Sequence, residues 1–141
     1  MYVAEPTKEN KMSYNQYVTN ISVLIDPSNF RALGEAILAE QDVMEYSADV
    51  SIKIIKADIE EYLNRFCWVY IYEPNGSLSI YQNETSRAID DEMDCLNLIA
   101  PFVNKGSFIE MQGEDHNLWR WVFNGKKVDT HYPTITWPEI E

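Results

Sequence analysis

The feature that most constrains the fold is the closing third of the chain, residues 107–137, which reads as a β-meander and carries three of the four tryptophans. Phe108, Ile109 and Met111 lead into Gly113-Glu114-Asp115-His116-Asn117, a run of turn-forming residues. The chain returns as Leu118-Trp119-Arg120-Trp121-Val122-Phe123 and turns again at Asn124-Gly125. Side chains alternate across a strand, so Trp119 and Trp121 share one face and Arg120 points from the other. Aromatic side chains dominate small cores, and the tryptophan face is therefore expected to be core. Were it open to solvent instead, Trp119, Trp121, Tyr70 and Tyr72 would form an aromatic interface, and a homodimer would follow.

The rest of the chain supplies helices and further strands. Residues 1–13 are polar and aperiodic and are expected to fray, leaving one domain over 14–141. Tyr17, Val18, Ile21, Val23, Leu24 and Ile25 predict a first strand. Asp26-Pro27 is a helix start, with Phe30, Leu33, Ile37 and Leu38 at helical spacing behind it. Gly34 weakens that helix by about 1 kcal/mol relative to Ala and allows close packing.

Residues 48–65 carry two patterns. Val50, Ile52 and Ile54 alternate like a strand, whereas Ile52, Ile55, Ile59, Tyr62, Leu63 and Phe66 keep helical spacing. Opposite charges four apart (Asp49/Lys53, Lys56/Glu60 and Glu61/Arg65) favour one helix over 48–65. The alternative is a strand to Ile55 followed by a helix capped by Asp58. A hairpin follows, Cys67–Tyr72 and Leu78–Tyr81 around Pro74-Asn75-Gly76. A third helix opens in the acidic stretch 84–94, buries Ile89, Met93, Leu96 and Ala100, and stops at Pro101 and Gly106. Closing strands are expected at 107–112, 118–124 and 126–130, with an edge piece at 134–137. The fold class is α+β: an antiparallel sheet with about three helices on one face.

At 141 residues and 45% hydrophobic content the chain has enough apolar material for one core without metal or disulfide support. Cys67 and Cys95 both stand in apolar surroundings and read as reduced, buried thiols of a cytoplasmic protein. No run of 18 apolar residues or basic-then-apolar leader occurs, so neither a membrane span nor a signal peptide is expected.

The segments Leu98-Ile99-Ala100-Pro101-Phe102-Val103, Gly106-Ser107-Phe108-Ile109-Glu110, Gly113-Glu114-Asp115 and Trp119-Arg120-Trp121-Val122-Phe123 resemble the C-terminal part of a group of small uncharacterised bacterial proteins. The resemblance covers about a third of the chain and implies a fold and a bacterial or mobile-element source, without an activity. Where that group carries Gly after the acidic pair, this chain carries His116.

Few residues carry candidate chemistry. Glu114-Asp115-His116 is the one dense group of acid–base or ligand side chains, since a carboxylate can orient an imidazole and raise its basicity. It lacks the His-x-x-x-His spacing that puts two ligands on one helix face, so an ordered turn is the expected role and no metal is assigned. Asp90-Asp91-Glu92-Met93-Asp94 fails as a calcium loop: an EF-hand needs Gly at its sixth position and Glu at its twelfth, where this chain has Cys95 and Pro101. Neither a nucleophile elbow nor a phosphate-binding glycine loop is present, and no cofactor is expected.

Charge is the strongest functional signal. Twenty-three carboxylates against eleven Lys and Arg give a formal charge of −12, which repels nucleic-acid backbones and anionic membranes and favours a basic protein partner. The expected function is a small acidic interaction protein, such as an inhibitor of the immunity or anti-defence type. Its partner-binding carboxylates would be Asp58, Glu60, Glu61, Asp90, Asp91, Glu92 and Asp94. The alternative is a small-ligand binder or hydrolase using Glu114, Asp115 and His116.

Overall fold

A six-stranded sheet, antiparallel at every pairing, is ordered β2-β3-β1-β4-β5-β6. The computed structural model describes residues 15–42, 45–83 and 90–138, with the backbone alone for Asp90, Asp91 and Glu92. The expected N-terminal segment and Ile89 lie outside the described residues.

The long first strand, β1 (Gln16–Ile25), organises the sheet. Its lower part pairs with β4 (Phe108–Gly113) and its upper part with β3 (Leu78–Asn83), and a bulge between Val18 and Asn20 adjusts the alternation. β2 (Trp68–Tyr72) flanks β3, while β5 (Leu118–Phe123) and β6 (Val128–His131) complete the meander. Gly76 closes the β2–β3 hairpin at φ +89°, a conformation that favours glycine. Residues 134–137 form no strand, contrary to the expected edge piece. Pro133 and Pro138 bracket that segment and leave it four residues at most in which to pair.

Three helices cover one face. The Asp26 carboxylate accepts from the Ser28 amide and opens a single 3-10 turn, Pro27–Asn29, that leads into α1 (Phe30–Ala39). Phe30, Leu33, Gly34 and Ile37 are its buried stripe. α2 (Ile52–Arg65) buries Ile55, Ile59, Tyr62 and Leu63 and begins four residues later than the periodicity predicts. Its start is set by Ser51, whose side chain accepts from the Ile54 amide. Strand pairing to Ile55 and a cap at Asp58 are both excluded. The predicted ion pairs do not form within 4 Å: Asp49 precedes the helix, and Lys56 lies over the Tyr72 ring. α3 (Asp90–Ile99) buries Cys95, Leu96 and Ile99 and runs into a 3-10 turn, Ala100–Phe102, at Pro101.

The core lies between the helices and one sheet face, where Val23, Ile25, Trp68, Leu78, Ile80, Ile109, Met111, Trp119, Trp121 and Phe123 are buried. Trp121 is 2% exposed and Trp119 9%, so the tryptophan face is core. Cys95 is buried as expected, but Cys67 is only half-buried because it forms the corner between α2 and β2 at φ +64°. Among the described residues no helix is long and apolar enough to cross a membrane.

Candidate functional site

The helical layer holds the surplus charge. Residues 30–65 contain eight carboxylates and four cations, and residues 90–94 four carboxylates and no cation. Residues 104–131, which form the C-terminal meander, contain four of each. The negative field of the molecule therefore originates chiefly from α1, α2, their connection and the start of α3. Burial chiefly holds the Tyr62 hydroxyl on α2 well above the usual phenol range; Cys95, Glu40 and Asp94 push in the same direction and Arg65 opposes them.

The seven carboxylates expected to meet a partner divide into groups. Asp58 is half-buried and accepts a 2.8 Å hydrogen bond from the Tyr46 hydroxyl. Glu60, also half-buried, accepts one of 2.6 Å from the Tyr72 hydroxyl. Burial and these bonds raise both phenol pKa values. Asp58 and Glu60 thus tie α2 to the α1–α2 connection and to β2. Glu61 and Asp94 are exposed. Asp90, Asp91 and Glu92 stand in the first turn of α3, where the helix dipole favours carboxylates.

Glu114, Asp115 and His116 form the β4–β5 turn. The Asp115 carboxylate accepts from the Asn117 amide at 3.2 Å and from its side-chain nitrogen at 2.9 Å. The Glu114 amide donates to the Asn15 carbonyl at 2.9 Å, which ties the turn to the start of β1. His116 takes φ +68°, the conformation a glycine would supply, and its Nδ1 lies 3.3 Å from Gln112 Nε2. All three side chains are exposed, so the carboxylates do not enclose the imidazole. Among the described residues no three His, Cys, Asp or Glu side chains come together to hold a metal ion.

The face turned away from the helices carries a groove that sequence patterns alone do not single out. It has a volume of about 440 Å³ and is lined by Thr19, Glu110, Met111, Leu118, Trp119, Arg120 and His131, with Tyr132, Pro133 and Thr134 as one wall. Glu110, Arg120 and His131 stand in one row across β4, β5 and β6. Arg120 pairs with the Glu110 carboxylate and lies over the Phe108 ring, and the Thr19 hydroxyl donates to the Glu110 carbonyl. His131 lines the groove and His116 does not, so the two histidines do not share a polar pocket. On the helix side of the same sheet edge, a second depression of about 550 Å³ lies between Met93 and the two indoles, and shares Leu118, Trp119 and Tyr132 with the first.

The signal for this row was present in the sequence. A turn centred on Asp115 places residue 110 opposite residue 120, and strand parity puts both on the face away from the tryptophans. No family model, no curated protein and no solved structure matches this chain.

Proposed function

We propose that this protein is a small acidic interaction module whose helical layer binds a basic macromolecular partner, as an inhibitor of the immunity or anti-defence type would. The observation that carries the reading is the segregation of charge: the helical segments hold a large carboxylate excess while the meander is balanced. A one-signed surface steers an oppositely charged partner and accelerates encounter. Within that layer Glu61 and Asp94 are exposed and would meet the partner, and Asp90, Asp91 and Glu92 add their charge from the first turn of α3. Asp58 and Glu60 act indirectly, by holding α2 in place. A ligand or hydrolase site at Glu114, Asp115 and His116 has less support, because Asp115 and His116 serve the turn.

The test uses the whole chain and its Glu61→Lys/Asp94→Lys variant as baits in lysate of the source organism, followed by binding kinetics with the captured protein. The expected partner is basic, is released by raised salt, and associates about tenfold more slowly with the variant. Equal association rates for the two baits would sink the proposal.

A further inference from the structure

A second, chemically different surface lies on the far side of the molecule. After β6 the chain continues as Tyr132-Pro133-Thr134-Ile135-Thr136-Trp137-Pro138, a segment with no charged residue. Tyr132 is 75% exposed, Ile135 77% and Trp137 86%. The other three tryptophans are buried. Large apolar side chains this exposed, close together in one short segment, mark a contact surface.

Three observations identify what covers it. First, the groove on the open sheet face is walled by Tyr132, Pro133 and Thr134, so Ile135 and Trp137 follow within three residues, at most about 10 Å of chain. A two-fold axis beside the groove therefore brings the same segment of a second copy within reach of it. Second, the groove volume of about 440 Å³ falls in the range of pockets that hold drug-sized ligands, so an indole has room in it. Third, two copies each carrying −12 repel most strongly through their helical layers. The meander is balanced and residues 132–138 are uncharged, with only Glu139 and Glu141 following, so this end of the chain carries a far smaller charge excess than the helical layer and opposes the approach of a second copy less.

We infer that two copies of this chain associate about a two-fold axis by exchanging residues 132–138, with Trp137 of each copy inserted in the Leu118–Arg120–His131 groove of the other. The contact is isologous, so each chain contributes one anchor and one receptor. Tryptophan is among the side chains enriched at such anchor positions. Pro133 and Pro138 fix φ at two points of the segment, which lowers the entropy lost when it docks. The inference is independent of the partner proposed for the helical layer, which lies on the opposite face.

Sedimentation equilibrium of the full chain tests it, together with tryptophan emission read against concentration. The expected result is a dimer whose formation shifts Trp137 emission to the blue. Trp137→Ser and Leu118→Gln should each raise the dissociation constant at least about tenfold. Both residues are surface-exposed in the single chain, and circular dichroism confirms that each variant is folded. Mixing the two variants should restore association beyond either alone, because the heterodimer joins one intact anchor to one intact groove. A wild-type monomer up to about 100 µM would overturn the inference. So would a dimer indifferent to both substitutions, or no gain on mixing.

Discussion

Tyr46 and Gly34 fit together as ring and seat: a Cβ built on Gly34 would lie 2.9 Å from Tyr46 Cε2 and 3.0 Å from Cζ. The same tyrosine donates to Asp58 on α2, its amide donates to the Glu35 carboxylate at 3.2 Å, and its carbonyl accepts from Arg31. One residue of the α1–α2 connection thus joins both helices, and the glycine on α1 makes room for it. The helix-weakening glycine is the condition for a clasp that positions the acidic layer.

Gly34→Ala is accordingly expected to destabilise the protein, although alanine is the better helix former by about 1 kcal/mol. The ring is held at its hydroxyl and at its backbone, so it cannot withdraw freely, and overpacking of this kind costs about 1–3 kcal/mol. Urea unfolding of Gly34→Ala, Tyr46→Ala and the double variant checks this. The double variant should be more stable than the sum of the singles predicts, because the methyl group then meets no ring.

Stability should also fall in alkali. Burial, first among the causes, raises the phenol pKa values of Tyr46, Tyr62 and Tyr72 in the fold. In the unfolded chain these groups titrate near 10. The folded state therefore retains protons that the unfolded state releases as pH rises above about 10. The stabilisation is fully present below that value and is lost progressively above it, as pH climbs toward the raised folded-state values. Denaturant midpoints between pH 8 and pH 11 should be flat and then decline. Tyr62→Phe should make the decline shallower, and an unchanged slope would remove Tyr62 from this account.

A third expectation concerns where α2 begins. Ser51→Ala removes the side chain that caps the Ile54 amide and should cost about 1 kcal/mol. Asp58→Asn keeps an acceptor for the Tyr46 hydroxyl and leaves the helix start untouched, so its cost should come from the clasp alone. Amide hydrogen exchange distinguishes them: Ser51→Ala should speed exchange in the first turn of α2, and Asp58→Asn should not.

This helix shows why sequence reading reached some features and not others. The stripe from Ile55 to Leu63 repeats over several turns, so its identity as helix was legible. Its start was not, because Val50 and Ile52 suit either pattern and only the Ser51 hydrogen bond decides. The sheet behaves similarly. Parity alone separated the buried tryptophans from Arg120, and the symmetry of the 113–117 turn contained the Glu110–Arg120 pairing. The groove depended on Thr19, from a strand about ninety residues earlier, and on the course of the chain after β6. Neither is a local property. Asp58 and Glu60 read as free surface charge because their tyrosine partners, Tyr46 and Tyr72, come together with them only through tertiary packing.

The β4–β5 turn yields the last expectation. His116 holds φ +68°, which costs an ordinary side chain roughly 1–2 kcal/mol and a glycine almost nothing. Its imidazole offers one 3.3 Å contact with Gln112 on an exposed surface in return. Relief of strain should exceed that loss together with the greater entropy of glycine in the unfolded chain, so His116→Gly is expected to raise stability by about 0.5–1 kcal/mol. His116→Ala keeps the strain and removes the contact, so it should be neutral or slightly destabilising. Thermal unfolding of the two variants separates the readings. A histidine serving as a ligand or base would make both substitutions equally damaging to function, whereas a turn residue makes glycine the better of the two.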